Sequence, residues 1–407
     1  MQQKKIGQAQ ELVWLSVTLF AWALHGGCVA TREAAEMRHS TRDWSQVLVV
    51  PHPNDTRYYD MRSWERISDP EFRISVWGFS EGLCVARREP RGKAGFIDAA
   101  GRVVIPFRYD EAYGFDNGRA TVCIDGKKGV IDPSGQWVIK PGKYKDLGLY
   151  NEGLCAYVPD IQGATYWGFL DGSGEPVIDC VFQKACSQPL YFEEGRCLAK
   201  TRWDDLVYID HKGRVRARFA DPHPEWEAWP FSDGLARVNV AVDTRSEAEK
   251  KGPHIYFAPL LPRVGFINPE GKVVIQPCFT STGDFTEGLA PASLTDEGTL
   301  HPGGEYMPDE SQRESERRWG FIDKTGGWAI PMIYERVQHF QEGLAPFRRD
   351  GKWGYLDRDG KVVVSPRFDD AREFSRGVAK VIADGKIFFI DRLGHVILNT
   401  GLQNDDI

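Results

Sequence analysis

Apolar residues along this chain come in short runs of about five, rich in β-branched and aromatic side chains and bounded by Gly and Asp. Runs of that length and make-up predict strands rather than helices. The C-terminal stretch is the clearest instance. Gly377-Val378-Ala379-Lys380-Val381 gives one apolar segment, and the polar turn Ala383-Asp384-Gly385-Lys386 follows it. Ile387-Phe388-Phe389-Ile390-Asp391 gives the second segment and His395-Val396-Ile397-Leu398 the third.

The second and third segments are joined by an Asp-x-x-Gly turn, and that turn is written eight times. It starts at Asp98, Asp132, Asp171, Asp210, Asn268, Asp323, Asp357 and Asp391. Asp or Asn at the first place accepts hydrogen bonds from the turn backbone. Pro133 and Pro269 suit a type I turn at the second place, and glycine at the fourth supplies a positive φ. These carboxylates therefore read as hairpin corners. Calcium loops need several oxygen ligands at alternating positions, and each of these turns brings one or two.

A second marker precedes the first segment. It reads Phe79-Ser80-Glu81-Gly82, Phe115-Asp116-Asn117-Gly118, Asn151-Glu152-Gly153 and Phe192-Glu193-Glu194-Gly195. It returns as Phe231-Ser232-Asp233-Gly234, Phe285-Thr286-Glu287-Gly288, Phe340-Gln341-Glu342-Gly343 and Phe374-Ser375-Arg376-Gly377. A catalytic acid is not repeated six times. The expectation is a turn capped by its carboxylate, with the aromatic packed in the core.

Trp167-Gly168-Phe169-Leu170-Asp171, Trp319-Gly320-Phe321-Ile322-Asp323 and Lys352-Trp353-Gly354-Tyr355-Leu356-Asp357 resemble the bacterial WG-repeat (KWG) family. So do the Val-Ile-x-Pro ends at Val104-Ile105-Pro106, Val138-Ile139-Lys140-Pro141, Val274-Ile275-Gln276-Pro277 and Val363-Val364-Ser365-Pro366. The resemblance covers residues 79–398, with Ala94, Lys128 and Val264 replacing the tryptophan in other copies. It implies a secreted, surface or stand-alone repeat protein, and it carries over no catalytic residue.

The glycine position of the Gly-Phe-Ile-Asp segment recurs at Gly95, Gly129, Gly168, Val207, Gly265, Gly320, Gly354 and Phe388. The shortest step is 34 residues; the two longest, from Val207 to Gly265 and on to Gly320, come from insertions at 241–262 and 293–318. Both fall between the first and second segments of neighbouring repeats. Equivalent loops of a repeat body emerge on one face, often the binding face. The expected fold is all-β, with eight tandem three- to four-stranded antiparallel meanders forming a propeller-like ring; an open, curved β-superhelix is the alternative. The connector at Tyr109-Asp110-Glu111-Ala112 and Phe368-Asp369-Asp370-Ala371 is a candidate short fourth strand. The array spans 46–400, after a tether at 29–45 and before a tail at 401–407.

Residues 1–28 read as an export signal: Lys4 and Lys5 precede an apolar run from Leu12 to Leu24, too short for a membrane span. Gly27-Cys28 resembles a lipoprotein cleavage site with Cys28 as the lipidated residue, although His25 stands where that pattern has leucine. Cleavage after Ala30 is the rival, and a cytoplasmic protein whose start is assigned too far upstream is the third reading. The expected location is thus exported, periplasmic or membrane-anchored through a lipid.

The formal charge of −7 lacks the basic excess of a general nucleic-acid binder. Cys84, Cys155 and Cys197 occupy a column that holds alanine in other repeats, so they read as small core residues. No cysteine pairing suggests a metal site, no cofactor motif is present, and no metal or cofactor is expected.

What breaks the repeat guides the search for function. Trp226 and Trp229 lie in a proline-rich connector, His254, Tyr256 and Phe257 in the first insertion, and Glu305 and Tyr306 in the acidic second one. They read either as an aromatic recognition surface or as packing for the loops. His223, His254, His301 and His339 are not tied to the repeat. The expected function is a non-enzymatic binding or scaffold protein of the bacterial envelope, recognising a protein, peptide or glycan through a loop-rich face. The alternative is a cell-envelope hydrolase with His254 or His301 near Glu305.

Overall fold

The structure, a computed structural model, describes residues 43–50, 57–67, 72–89, 91–185, 190–219, 227–243, 260–294 and 317–403. The described residues hold strands and one short 3-10 helix, Trp44–Gln46. The chain divides into two compact units. The first contains Tyr58–Gly114 and residues up to Val49; the second contains Phe115–Ile407 and Val50–Arg57.

The fold is all-β and built from propeller-like meanders, eight among the described residues. Repeat 7 shows the plan. Its strands Arg336–Val337, Leu344–Arg349, Lys352–Asp357 and Val362–Phe368 lie side by side in chain order and antiparallel. The short first strand is the connector expected from the sequence, and it recurs as Glu111–Ala112, Ser281–Thr282 and Asp370–Ala371. Between repeats 3 and 4 the connector does not bend. Pro176–Lys184 runs straight through and pairs with both Trp167–Leu170 and Cys197–Thr201, which fuses the two meanders into one seven-stranded sheet.

The glycine of the Trp-Gly pair has a packing reason. Between the pairs Trp353↔Phe368 and Tyr355↔Val364 the third strand advances two residues and the fourth strand four. The fourth strand thus bulges over the glycine. A Cβ on Gly265 would lie 2.6 Å from the Ile275 carbonyl oxygen, and one on Gly95 2.6 Å from that of Ile105. Val207 occupies this position in repeat 4, and there the fourth strand keeps regular register, with Val207 opposite Arg218. The proline of the Val-Ile-x-Pro end sits in the bulge of an outer strand, where a missing N–H costs no ladder bond and discourages pairing with other chains.

Each Asp-x-x-Gly turn has the expected form. Asp98 Oδ1 accepts from the main-chain N–H of Ala100 at 3.0 Å and of Arg102 at 2.9 Å, and Gly101 has a φ of 79°. Five of the marker phenylalanines are core and pack on the repeat before them, while Phe79 is half-buried. Phe192 meets Phe169 edge-on at 4.9 Å, Phe231 meets Tyr208 at 5.0 Å, and Phe285 meets Phe266 at 4.8 Å. Phe340 lies 4.7 Å from Phe321 and Phe374 lies 4.9 Å from Tyr355. Such pairs add about 0.5–1.5 kcal/mol each beyond area burial.

In the first unit, Trp44 is 1% exposed and packs against Phe72 at 5.8 Å. The last residues of the stretch read as a tether are therefore part of the fold. At the other end the last strand, Val396–Gln403, runs past the expected end of the array. The strands Leu235–Asp243 and Leu260–Ile267 likewise reach into the span read as the first insertion.

Candidate functional site

The marker acids do something the sequence does not announce. Those of the second unit reach past their own turn to the main-chain N–H of the marker glycine in the next repeat. Glu152 accepts from Gly195 at 2.9 Å, Glu194 from Gly234 at 2.7 Å and Asp233 from Gly288 at 2.5 Å. Glu287 accepts from Gly343 and Glu342 from Gly377, both at 2.9 Å, and Asp116 takes the same part toward Gly153 at 3.4 Å. The acid itself has a positive φ, 51° at Glu287 and 55° at Glu342, followed by glycine at 85° and 78°. An L-residue pays about 1–2 kcal/mol for that conformation. The bond it sends to the neighbouring repeat offsets it.

The second place of the Asp-x-x-Gly turn joins the same layer in two interchangeable ways. Where it is cationic, it meets a marker turn of the preceding repeat. His211 lies 2.9 Å from Glu152, Lys324 2.8 Å from Asp233, and Arg392 Nη2 donates to the Glu342 carbonyl at 2.5 Å. Where it is Gly172 or Pro269, its carbonyl accepts from Arg119 or Arg196 of the preceding marker, at 2.5 Å and 2.9 Å. In the second unit these ties collect the marker turns and the Asp-x-x-Gly turns at one end of the meanders. The connections between second and third strands necessarily emerge at the opposite end.

That opposite end carries the departures from the repeat. Repeats 2, 7 and 8 close it with tight Asp-Gly turns, Asp125-Gly126, Asp350-Gly351 and Asp384-Gly385, both residues at positive φ as a type I′ turn requires. Repeats 3 and 4 place Ile161 and Trp203 there, 66% and 65% exposed. The Arg202 guanidinium stacks over the Trp203 ring at 4.2 Å. Repeats 5 and 6 place their insertions there. In repeat 5 the hairpin is prolonged into a two-stranded arm that pairs from Ala236↔Ile267 out to Asp243↔Leu260. In repeat 6 the ends of the insertion meet, with the Ser293 hydroxyl donating to the Arg318 carbonyl at 2.8 Å.

Of the residues singled out by the sequence, Trp229 is described and half-buried. Its ring lies 4.3 Å under the Arg237 guanidinium, and its carbonyl accepts from the Tyr208 hydroxyl at 2.5 Å. Trp226, His254, Tyr256, Phe257, Glu305, Tyr306 and Cys28 lie outside the described residues.

Trp229 is the start of a polar line across four repeats. Arg237 donates to Asp284 Oδ1 at 2.5 Å, and the Asp284 main-chain N–H donates to His339 Nε2 at 3.2 Å. His339 Nδ1 lies 3.2 Å from Glu373 Oε1, which also accepts from the His339 main-chain N–H at 3.1 Å. The hydrogen bond from His339 holds the Glu373 carboxyl below the usual carboxylate range against the upward push of burial. An open cleft of about 620 Å³ lies beside it, lined by Gln338, His339 and Gln341 of repeat 7 and by Arg372, Glu373 and Ser375 of repeat 8.

The sequence singled out His339 but not its partners, nor Trp203. The signal was one column: the residue before the marker aromatic is Gly78, Gly114, Leu149, Tyr191 and Pro230 in five repeats, then Asp284, His339 and Glu373. Among the described residues no cluster of three or more His, Cys, Asp or Glu side chains could hold a metal ion.

A family model described as WG containing repeat matches residues 95–127, 129–158, 167–201, 265–296, 319–353 and 353–386. No curated protein matches the chain. Among solved structures, the crystal structure of the eukaryotic initiation factor is similar in fold at 10% identity, covering 86% of this chain and 94% of that one with a TM-score of 0.50. BamB from Moraxella catarrhalis covers 81% of this chain and 87% of its own at 9% identity and a TM-score of 0.35. The designed Ika8 protein covers 79% and 93% at 11% identity and a TM-score of 0.36.

Proposed function

The chain is a WG-repeat-containing protein, and from that premise we propose that it is a non-enzymatic binding scaffold that recognises a protein, peptide or glycan through the face carrying its second-to-third-strand connections. The observation that carries this reading is Trp203, a 65% exposed tryptophan stacked under Arg202. Tryptophan and arginine dominate the energetics of recognition surfaces. The supporting arrangement is the run of neighbouring repeats that depart from a tight turn at the same end: Ile161, Trp203, then the two insertions. The opposite end is committed to ties between repeats, which leaves the connection face free to vary without cost to the fold.

Export to the cell envelope is part of the proposal and rests on Lys4, Lys5, the apolar run Leu12–Leu24 and Cys28. Mass spectrometry of the mature N-terminus separates lipidation at Cys28 from cleavage after Ala30 and from no cleavage.

The binding reading is tested by photo-crosslinking in the producing cell. Benzoylphenylalanine replaces Trp203 in one variant and Leu393 in another; Leu393 is 68% exposed in an Asp-x-x-Gly turn at the opposite end. The expected result is a defined adduct from position 203, removed by excess unlabelled wild-type protein and weakened when residues 295–316 are exchanged for Asp-Gly. Equal adducts from both positions, or none from 203, contradict the proposal.

A further inference from the structure

The line Arg237–Asp284–His339–Glu373 joins repeats 5, 6, 7 and 8, and the His339 Nε2 turns from acceptor to donor when the ring takes up a proton. The main-chain N–H of Asp284 can only donate, so His339 Nε2, 3.2 Å away, is the acceptor. The neutral ring then carries its proton on Nδ1 and donates to Glu373 Oε1 at 3.2 Å. One side of the ring is thus bound to repeat 6 and the other to repeat 8.

We propose that His339 is a proton-operated joint: protonation breaks its bond to repeat 6 and strengthens its bond to repeat 8 at the edge of the cleft. A proton on Nε2 would place two N–H groups nose to nose, so the bond from Asp284 must break. On the other side, the bond from Nδ1–H to the Glu373 carboxylate, already charge-assisted through its acceptor, gains a cationic donor and becomes an ion pair. The cleft is walled by repeat 7 through Gln338, His339 and Gln341 and by repeat 8 through Arg372, Glu373 and Ser375. The pair His339–Glu373 therefore joins one wall of the cleft to the other.

The groups that face the ring come from each neighbouring element. Repeat 8 offers Glu373, 3.2 Å from the ring, with Arg372 beside it and paired to Asp370 at 3.2 Å. Repeat 6 offers the Asp284 carboxylate, already held by Arg237 at 2.5 Å. Below the ring lies Gly283, where a Cβ would come 2.6 Å from His339 Nε2 and 3.0 Å from the Pro291 side chain. Glycine is needed there to admit the ring, and Gly283→Ala should push it off the Asp284 amide at any pH.

The test is solution NMR of the full chain, following the Asp284 amide and the His339 ring from pH 8 to pH 5. The expected result is that the Asp284 amide loses its hydrogen-bonded shift in step with ring protonation. In His339→Gln, whose carboxamide can accept and donate without titrating, the amide should stay fixed across the range. In Gly283→Ala it should sit at the unbonded shift throughout. Thermal melts at pH 8 confirm that each variant is folded. An Asp284 amide that ignores ring protonation overturns the proposal, as does one that titrates equally in His339→Gln.

Discussion

Glu342 Oε2 accepts a hydrogen bond from the main-chain N–H of Gly377 at 2.9 Å, across 35 positions of sequence. The carboxylate belongs to the marker turn of repeat 7 and the amide to that of repeat 8. Five further acids make the same reach within the second compact unit, from Asp116 to Glu287. Acids that recur like catalytic groups are thereby committed to register between repeats.

The Trp-Gly glycine is predicted to be intolerant of even one carbon. A Cβ on Gly320 would lie 2.5 Å from the Ile330 carbonyl oxygen and 2.7 Å from the Pro331 carbonyl carbon. These are backbone atoms of a bulge and cannot swing aside. Gly320→Ala should cost about 1–3 kcal/mol or more, read as a lowered denaturant midpoint. A midpoint within error of wild type would mean that the bulge yields freely.

Two carboxyl groups should respond to pH in opposite senses. Burial tends to raise the Asp210 carboxyl, but it is outweighed by main-chain bonds from Arg214 and Lys212 and side-chain bonds from Arg216 and Arg214, so the group titrates far below its ordinary value. A lowered folded value means stability that is present above the unfolded value, about 4, and lost as pH falls toward the folded one. Asp210→Asn should therefore lower the melting temperature at pH 7, with the difference from wild type shrinking on acidification. Glu193 is raised by burial and by Glu194, Asp284 and Glu152. Its charge costs the folded state at pH 7, so Glu193→Gln should raise the melting temperature there and give no gain near pH 4. Differential scanning calorimetry of both variants across pH checks the signs.

The cysteine column should be chemically silent. Burial pushes the Cys84 thiol up to about 11 and the Cys155 thiol up to about 12, and raises Cys197 too. Cys278 is exposed. Iodoacetamide at pH 8 should label Cys278 in the native protein and reach Cys84, Cys155 and Cys197 only after denaturation, as peptide mass spectrometry would report. Native labelling of Cys155 would contradict a packed core in repeat 3.

How much of this was legible in the chain depends on distance along it. The Asp-x-x-Gly corners were, because Asp98 bonds to residues two and four places on. The short first strand was also, through Phe368-Asp369-Asp370-Ala371. The partner of Glu342 was not: the marker turn was expected to be capped by its own acid, whereas the acceptor serves the next repeat, and the offset varies from 35 to 56 residues with the connections between. The same holds for His339, legible as an irregular residue but not as the neighbour of Asp284 and Glu373. Trp203 sits in a short turn, and its exposure is visible only in the structure.

The most direct test of the account is hydrogen exchange at the Gly377 amide in wild type and Glu342→Ala. If the marker acids tie neighbouring repeats, the variant should lose protection at Gly377 ahead of the strands on either side, with a stability cost of about 1–3 kcal/mol. Protection at Gly377 equal to that of wild type would contradict the account and return the marker acids to the list of groups free for chemistry.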